Sequence, residues 1–170
     1  FCATAKIKRM RNLNADEIYD QVVAIDRQSR FYFDRTLSNI VFMGMGEPLM
    51  NYKNLINAIE KITQQDGLGM SPSRIIVSTS GIPKIIMKMA DDKVRFGLAV
   101  SLHSARQNVR AKLMPFAEKF PLNELADAIK YWYAKTRKIV TYEYIVWKGI
   151  NDSDEDINAL VDFCKISTCK

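Results

Sequence analysis

Short runs rich in β-branched residues alternate with amphipathic helical stretches four times along this chain, and few architectures accept that rhythm. Residues 38–45 (SNIVFMGM), 74–79 (RIIVST), 95–102 (RFGLAVSL) and 139–147 (IVTYEYIVW) predict strands. Residues 14–28 predict a helix ahead of the first strand. Asn14 is its N-cap, Glu17 stands at capping-box spacing, and Ile18, Val22 and Ile25 share one face. Residues 52–65 carry the stripe Leu55, Ala58, Ile59 and Ile62. Pro83 opens a helix bearing Ile85, Ile86 and Met89. Residues 105–113 predict a short helix. Residues 121–135 predict a longer one, opened by Pro121 and packed through Leu125, Ile129 and Trp132. Ser153, with Asp156 three residues on, opens a last helix whose inner face reads Ile157, Leu160, Val161 and Cys164. Such alternation implies parallel strands joined by right-handed crossovers. Four strands cannot close a barrel, so an arc of a barrel and part of an open doubly wound sheet are both compatible with the pattern.

Within 170 residues there is material for one domain with a sizeable core. No apolar run reaches the length that spans a bilayer, and no secretory pattern opens the chain. The expected compartment is the cytoplasm, with no membrane partner. Phe1 stands where a Met would begin a protein, and Lys170 follows a helical stretch without a stop. The sequence reads as a central piece of something longer, residues 1–170 forming one core domain. Twenty-five Lys and Arg against nineteen Asp and Glu leave a charge of +6, which favours nucleic acid or anionic ligands. Three cysteines form no framework and fit a reducing compartment.

The residues with chemical potential fall where three predicted strands end. The first runs into Gly44-Met45-Gly46-Glu47-Pro48, the second into Ser78-Thr79-Ser80-Gly81, and the third into Ser101-Leu102-His103-Ser104. Parallel α/β folds bind ligands at those carboxyl ends. Glycine permits close backbone approach. The Glu47 carboxylate and neighbouring carbonyls can accept from an ammonium group, and Ser78 and Ser101 can bond ribose or carboxylate oxygens. Taken singly, each segment is ordinary turn punctuation. Three on successive strands point to a ligand rim. His103, the single histidine, can meet a ligand or tie down a loop. Cys2 alone carries little information, Cys164 reads as a core residue, and Cys169 has no assigned role. The basic run Lys6, Lys8, Arg9 and Arg11 suits either phosphate contacts or a solvated loop. Tyr131, Trp132 and Tyr133 read as helix packing.

The segments FCAT at 1–4, RNL at 11–13, VFMGMGEPLMN at 41–51, VSTSG at 77–81 and AVSLHS at 99–104 form an ordered set. As a set they resemble the radical S-adenosylmethionine (SAM) methyltransferases that modify carbon 2 of adenine in 23S rRNA and tRNA. A relative in the same fold methylates carbon 8 of an rRNA adenosine. The resemblance implies a partial (β/α)6 barrel of TIM-like form with parallel strands, of which this chain supplies the middle. It implies a [4Fe-4S] cluster and SAM as cofactors, with an electron-donor protein as a further partner. By the same matching, Cys2 stands as the third cysteine of the cluster motif. Gly46 and Glu47 match a SAM-binding pair, Ser78 a further SAM contact, and Ser101, Leu102 and His103 a SAM-binding segment. In such enzymes one SAM methylates a protein cysteine and a second generates a radical at that methyl group. The methylene then adds to the adenine ring, and another cysteine resolves the crosslink.

Several parts of that machinery have no counterpart in these 170 residues. They are the first two cluster cysteines, the methyl-carrying cysteine, its resolving partner and a SAM-binding asparagine. Ala5 and Lys8 also stand where many relatives have glycine. The stretch is therefore expected to be inactive alone. The carbon-8 rRNA methyltransferase and a non-catalytic RNA-binding module that kept the fold and lost the cluster are the competing expectations.

Overall fold

The computed structural model describes Cys2, Ala3, Ile7 and residues 10–43 and 45–170. Helix α1 (Ala15–Phe33) leads into β1 (Ile40–Phe42), α2 (Tyr52–Thr63), β2 (Ile75–Thr79), α3 (Pro83–Asp91) and β3 (Gly97–Ser101). Helices α4 (Gln107–Leu113) and α5 (Leu122–Thr136), strand β4 (Val140–Glu143) and helix α6 (Asp154–Cys164) complete the order. The four strands pair in parallel in the order β1-β2-β3-β4. Each crossover adds the next strand on the same side, and the order never reverses. That is the arrangement of a barrel arc; a complete doubly wound sheet would show a reversal.

Strand alternation then sorts the two faces. Ile75 and Val77 of β2, Leu98 and Val100 of β3 and Val140 of β4 enter the core with Leu55, Ile86 and Trp132 of the helices. The opposite face carries Val41, Ile76, Ala99 and Thr141, and at its carboxyl end Ser78, Ser101 and Glu143. Val41 is 51% exposed there. The apolar stripes predicted for α2, α3 and α5 are the ones buried, with Ile85 of α3 half-buried. Beyond β4, Lys170 N donates to Val140 O and Tyr142 N to Lys170 O, so residues 168–170 begin to pair along that strand.

Both capping boxes form. Asn14 and Glu17 exchange hydrogen bonds at the start of α1, and Ser153 and Asp156 do so at α6. The helix faces above them differ from expectation. In α1, Ile25 is 52% exposed, and the buried position is Asp26. Its carboxylate accepts from Leu37 N at 2.9 Å and from Arg30 Nε at 2.8 Å, and so turns the chain back toward β1. These bonds hold the Asp26 carboxyl below its ordinary pKa, the Leu37 amide first. The helix also runs past residue 28 to Phe33 and stops where Asp34 adopts a left-handed conformation.

Helix α6 is likewise rotated. Ile157 and Val161 are 53% and 49% exposed, and Cys164 is half-buried outside the core. Asp156 and Phe163 face inward, Phe163 edge-on to Tyr142 at 5.5 Å. The polar network around Asp156 sets this rotation: Ser153 Oγ donates to it, and Arg106 Nη1 lies 3.4 Å away. The same contacts hold its carboxyl below the ordinary 3.8, with the Ser153 hydroxyl the leading cause. A lowered acid contributes stability that is complete above its unfolded pKa and is lost as pH falls through the folded one. Asp156→Asn is therefore expected to flatten the stability profile below about pH 4. Urea titrations from pH 2 to 7 read this, and parallel profiles for both proteins would refute it.

Strand β4 is shorter than residues 139–147. Past Glu143 the backbone donors turn to side chains: Ile145 N to His103 Nδ1 at 3.2 Å and Trp147 N to Asn151 Oδ1 at 2.7 Å. β-propensity there is overridden because those amides bond to side chains outside the sheet. Strand β1 ends three residues early, before the turn that contains Gly46.

Candidate functional site at the carboxyl ends of the strands

The rim is assembled by two carboxylates. Glu47 follows β1 and caps the short 3-10 turn Pro48–Asn51 through Leu49 N, at 3.0 Å. The same oxygen accepts from Thr79 Oγ1 at 2.7 Å, and the other oxygen accepts from Ser80 N at 2.7 Å and Ser80 Oγ at 2.6 Å. Four donors thus surround one carboxylate, which fastens the end of β1 to the end of β2. Gly46 beside it has φ +128, a conformation glycine alone takes easily, and a Cβ there would meet nothing within 4 Å. The chain is open to close approach at that point.

Glu143 does the corresponding work at the other side. Its register partner across β3–β4 is Ser101. Its Oε2 accepts from Ser101 Oγ at 2.8 Å and Ser78 Oγ at 3.1 Å. Its carbonyl accepts from Leu102 N at 2.9 Å and His103 N at 3.1 Å. The ends of β2, β3 and β4 therefore converge on one residue.

Arg110 lies beneath them, fully buried on α4. Nε donates to Leu102 O at 3.1 Å, and Nη2 to Ser80 O at 2.6 Å and Ser101 O at 3.3 Å. Among the described residues Nη1 meets no hydrogen-bond partner. Burial pushes the guanidinium pKa down to about 10. Gly81 completes the β2 turn at φ +96, with Leu125 Cδ1 3.0 Å from where a Cβ would sit. Gly81→Ala is expected to cost about 1–3 kcal/mol from backbone strain and that contact. An unchanged urea midpoint would refute this.

The expected site residues are placed unevenly. Gly46, Glu47, Ser78 and Ser101 border the rim, and Ser78 and Ser101 share the face opposite the helices. Leu102 buries its side chain in the core and offers only backbone. His103 is 3% exposed, in a left-handed conformation at φ +55. Its Nδ1 accepts from Ile145 N, so its proton sits on Nε2, and its carbonyl accepts from Asn151 Nδ2 at 2.6 Å. Burial lowers its pKa, with Glu143 opposing and Arg110 reinforcing the shift. The geometry thus gives His103 a loop-tying contact.

Cys2 is exposed, and among the described residues no three metal-ligating side chains gather. Lys6, Lys8 and Arg9 lie outside the described residues, as does Gly44, whereas Arg11 makes a bidentate pair with Glu17. A hollow of about 460 Å3 between Ser29, Phe33 and Ser38 lies at the amino end of β1, away from the rim. Sequence reasoning missed Glu143, Arg110 and Asn151. Glu143 carried a signal: with Thr141 it is polar at alternate positions of an otherwise apolar strand. Arg110 and Asn151 carried none.

No family model matches the chain. All 170 residues align at 69% identity with a Christiangramia forsetii protein described as "Probable dual-specificity RNA methyltransferase RlmN", covering 48% of it. A Flavobacterium psychrophilum protein of the same description is 66% identical over the whole chain, which covers 49% of it. The chain spans about half the length of the curated relatives it matches. The crystal structure of a radical SAM methyltransferase from Sphaerobacter thermophilus superposes with a TM-score of 0.95 at 38% identity, over 99% of this chain and 49% of that one. The fold is thus that of a radical SAM methyltransferase. Within that class, the chain aligns over its whole length with proteins described as dual-specificity RNA methyltransferases.

Proposed function

We propose that the whole protein is a radical SAM enzyme that methylates carbon 2 of adenine in 23S rRNA and tRNA, in the cytoplasm, with electrons from a reductant protein. Residues 1–170 are on this reading its radical SAM core. The observation that carries it is the alignment of the entire chain with dual-specificity RNA methyltransferases at 64–69% identity. The net charge of +6 suits an RNA partner. Among the described residues no helix is long and apolar enough to cross a membrane.

The rim's chemistry fits SAM. A carboxylate and two serine oxygens at the ends of β2, β3 and β4 suit a ligand rich in donors, and Gly46 leaves open space at the end of β1. We assign SAM contacts to Gly46, Ser78 and Ser101 and to the backbone of Glu47; Leu102 and His103, whose backbone groups bond within the rim, shape it from behind. The Glu47 side chain, already met by four donors, holds the rim in shape. Cys2 offers one thiolate, and a [4Fe-4S] cluster held by three would need two more from outside this chain. When bound, the cofactor pair supplies the one-electron chemistry that so unreactive a ring carbon requires.

The test uses the full-length protein, purified without oxygen and reconstituted with iron and sulfide. Given SAM, a reductant and unmodified 23S rRNA, it is expected to yield 2-methyladenosine on nucleoside mass spectrometry. Formation of 8-methyladenosine instead would assign the other carbon. Absence of any methylated adenosine, with SAM cleavage intact, would overturn the substrate.

A further inference from the structure

We propose that Glu143 is a positioning residue that sets which part of the ligand the rim accepts: it fixes the Ser78 and Ser101 hydroxyls as acceptors, so that this sector takes a hydrogen-bond donor and refuses an anion. The proposal rests on the reading of the rim as a SAM site, and it adds a residue and a polarity to that reading.

Proton count sets the polarity of this sector. A carboxylate only accepts, and a serine hydroxyl has one proton to give. Ser78 and Ser101 both spend theirs on Glu143 Oε2, at 3.1 and 2.8 Å. Each then presents only lone pairs to anything beyond. Among the described residues no hydrogen bond reaches Glu143 Oε1, and the residue is half-exposed. The half-buried Ser101 hydroxyl and the second Glu143 oxygen therefore form a surface of acceptors, with Ser78, only 3% exposed, behind them.

The contrast with Glu47 is informative. Both oxygens of Glu47 are engaged by protein donors, two each. Glu143 is the rim carboxylate with capacity left. Its position is fixed from behind, since its carbonyl accepts from Leu102 N and His103 N. Its side chain therefore has a defined place from which to orient the serines. A group arriving here must donate. An ammonium or a vicinal diol does so; a carboxylate or phosphate would meet these acceptors and a negative charge. SAM carries both kinds of donor, and its carboxylate is directed elsewhere.

Glu143→Gln tests this in the full-length, cluster-reconstituted protein by calorimetry with SAM. The amide can donate to the serines and free their protons to point outward, so SAM affinity is expected to fall about ten- to a hundred-fold. Ser101→Ala should weaken binding several-fold in the wild type and hardly at all beside Glu143→Gln, a coupling that general loosening of the fold would not give. Competition by methionine, which has the ammonium but no diol, and by 5′-deoxyadenosine, which has the diol but no ammonium, identifies the donor. The ligand whose competition is lost in the variant is the one that sits on Glu143. Unchanged SAM affinity in Glu143→Gln, or additive effects in the double variant, would overturn the proposal. Loss of neither competitor would do the same. Failure of the wild type to bind SAM would instead overturn the reading of the site. Should Glu143→Gln lose its cluster, the double variant Ser78→Ala, Ser101→Ala decides: wild-type SAM affinity in it refutes the role.

Discussion

Glu47→Ala in the full-length protein is expected to lower stability by about 3 kcal/mol and SAM affinity roughly a hundred-fold. The carboxylate accepts from Leu49 N, Thr79 Oγ1, Ser80 N and Ser80 Oγ, all between 2.6 and 3.0 Å. Its removal leaves four donors to find other partners in a half-buried site, and cuts the tie between the ends of β1 and β2. Loss of ligand affinity would then follow from a misplaced rim, with no direct contact removed. Glu47→Gln separates the two effects. One amide oxygen can still accept from Ser80, so about half of the stability should return. Urea unfolding and calorimetry on both variants give the answer. A stable Glu47→Ala protein with weakened SAM binding would make the side chain a ligand contact and contradict the positioning role.

The second large effect is expected in the core. Trp132 is fully buried on α5, in the cluster with Ile86, Leu98 and Val140. Trp132→Ala should cost about 3–5 kcal/mol, the lost transfer energy plus that of a cavity too large to collapse. Trp132→Phe should cost far less. Among the described residues the indole Nε1 meets no hydrogen-bond partner, so phenylalanine removes an unsatisfied buried donor while keeping most of the apolar contact. A change within about 1 kcal/mol is expected for it. Chemical denaturation reads both, and equal destabilisation by the two variants would show that the indole nitrogen is satisfied in solution.

Trp132 and Glu47 differ in how far the sequence reveals their roles. Trp132 lies on an i, i+4, i+7 stripe with Leu125 and Ile129, which periodicity reveals directly. Glu47 stands beside Gly46 at a strand end and was marked as a site residue, yet its four partners come from both its own turn and the end of β2. The resemblance to radical SAM methyltransferases rested on ordered short motifs, and the whole-chain alignments support that family.

Local spacing sufficed wherever the deciding interaction was local. Both capping boxes, the stripes of α2, α3 and α5, the order of strands and helices, and the gathering of Gly46, Glu47, Ser78 and Ser101 at strand ends were readable in this way. The sequence by itself thus determined which segments become strands, which faces of three helices are apolar, and which family the chain resembles. The tertiary structure decided what depends on partners distant in the chain. Asp26 and Asp156 rotate α1 and α6 because buried carboxylates need donors more than Ile25, Ile157 and Val161 need burial. Strand β4 stops at Glu143 because His103 and Asn151 take its next amides. Glu143 reaches Ser78 across 65 residues of sequence, a distance over which no spacing rule applies. An apolar stripe costs free energy if exposed anywhere, so it is written in the sequence; a hydrogen bond requires one particular partner at one distance, and only the folded chain supplies it.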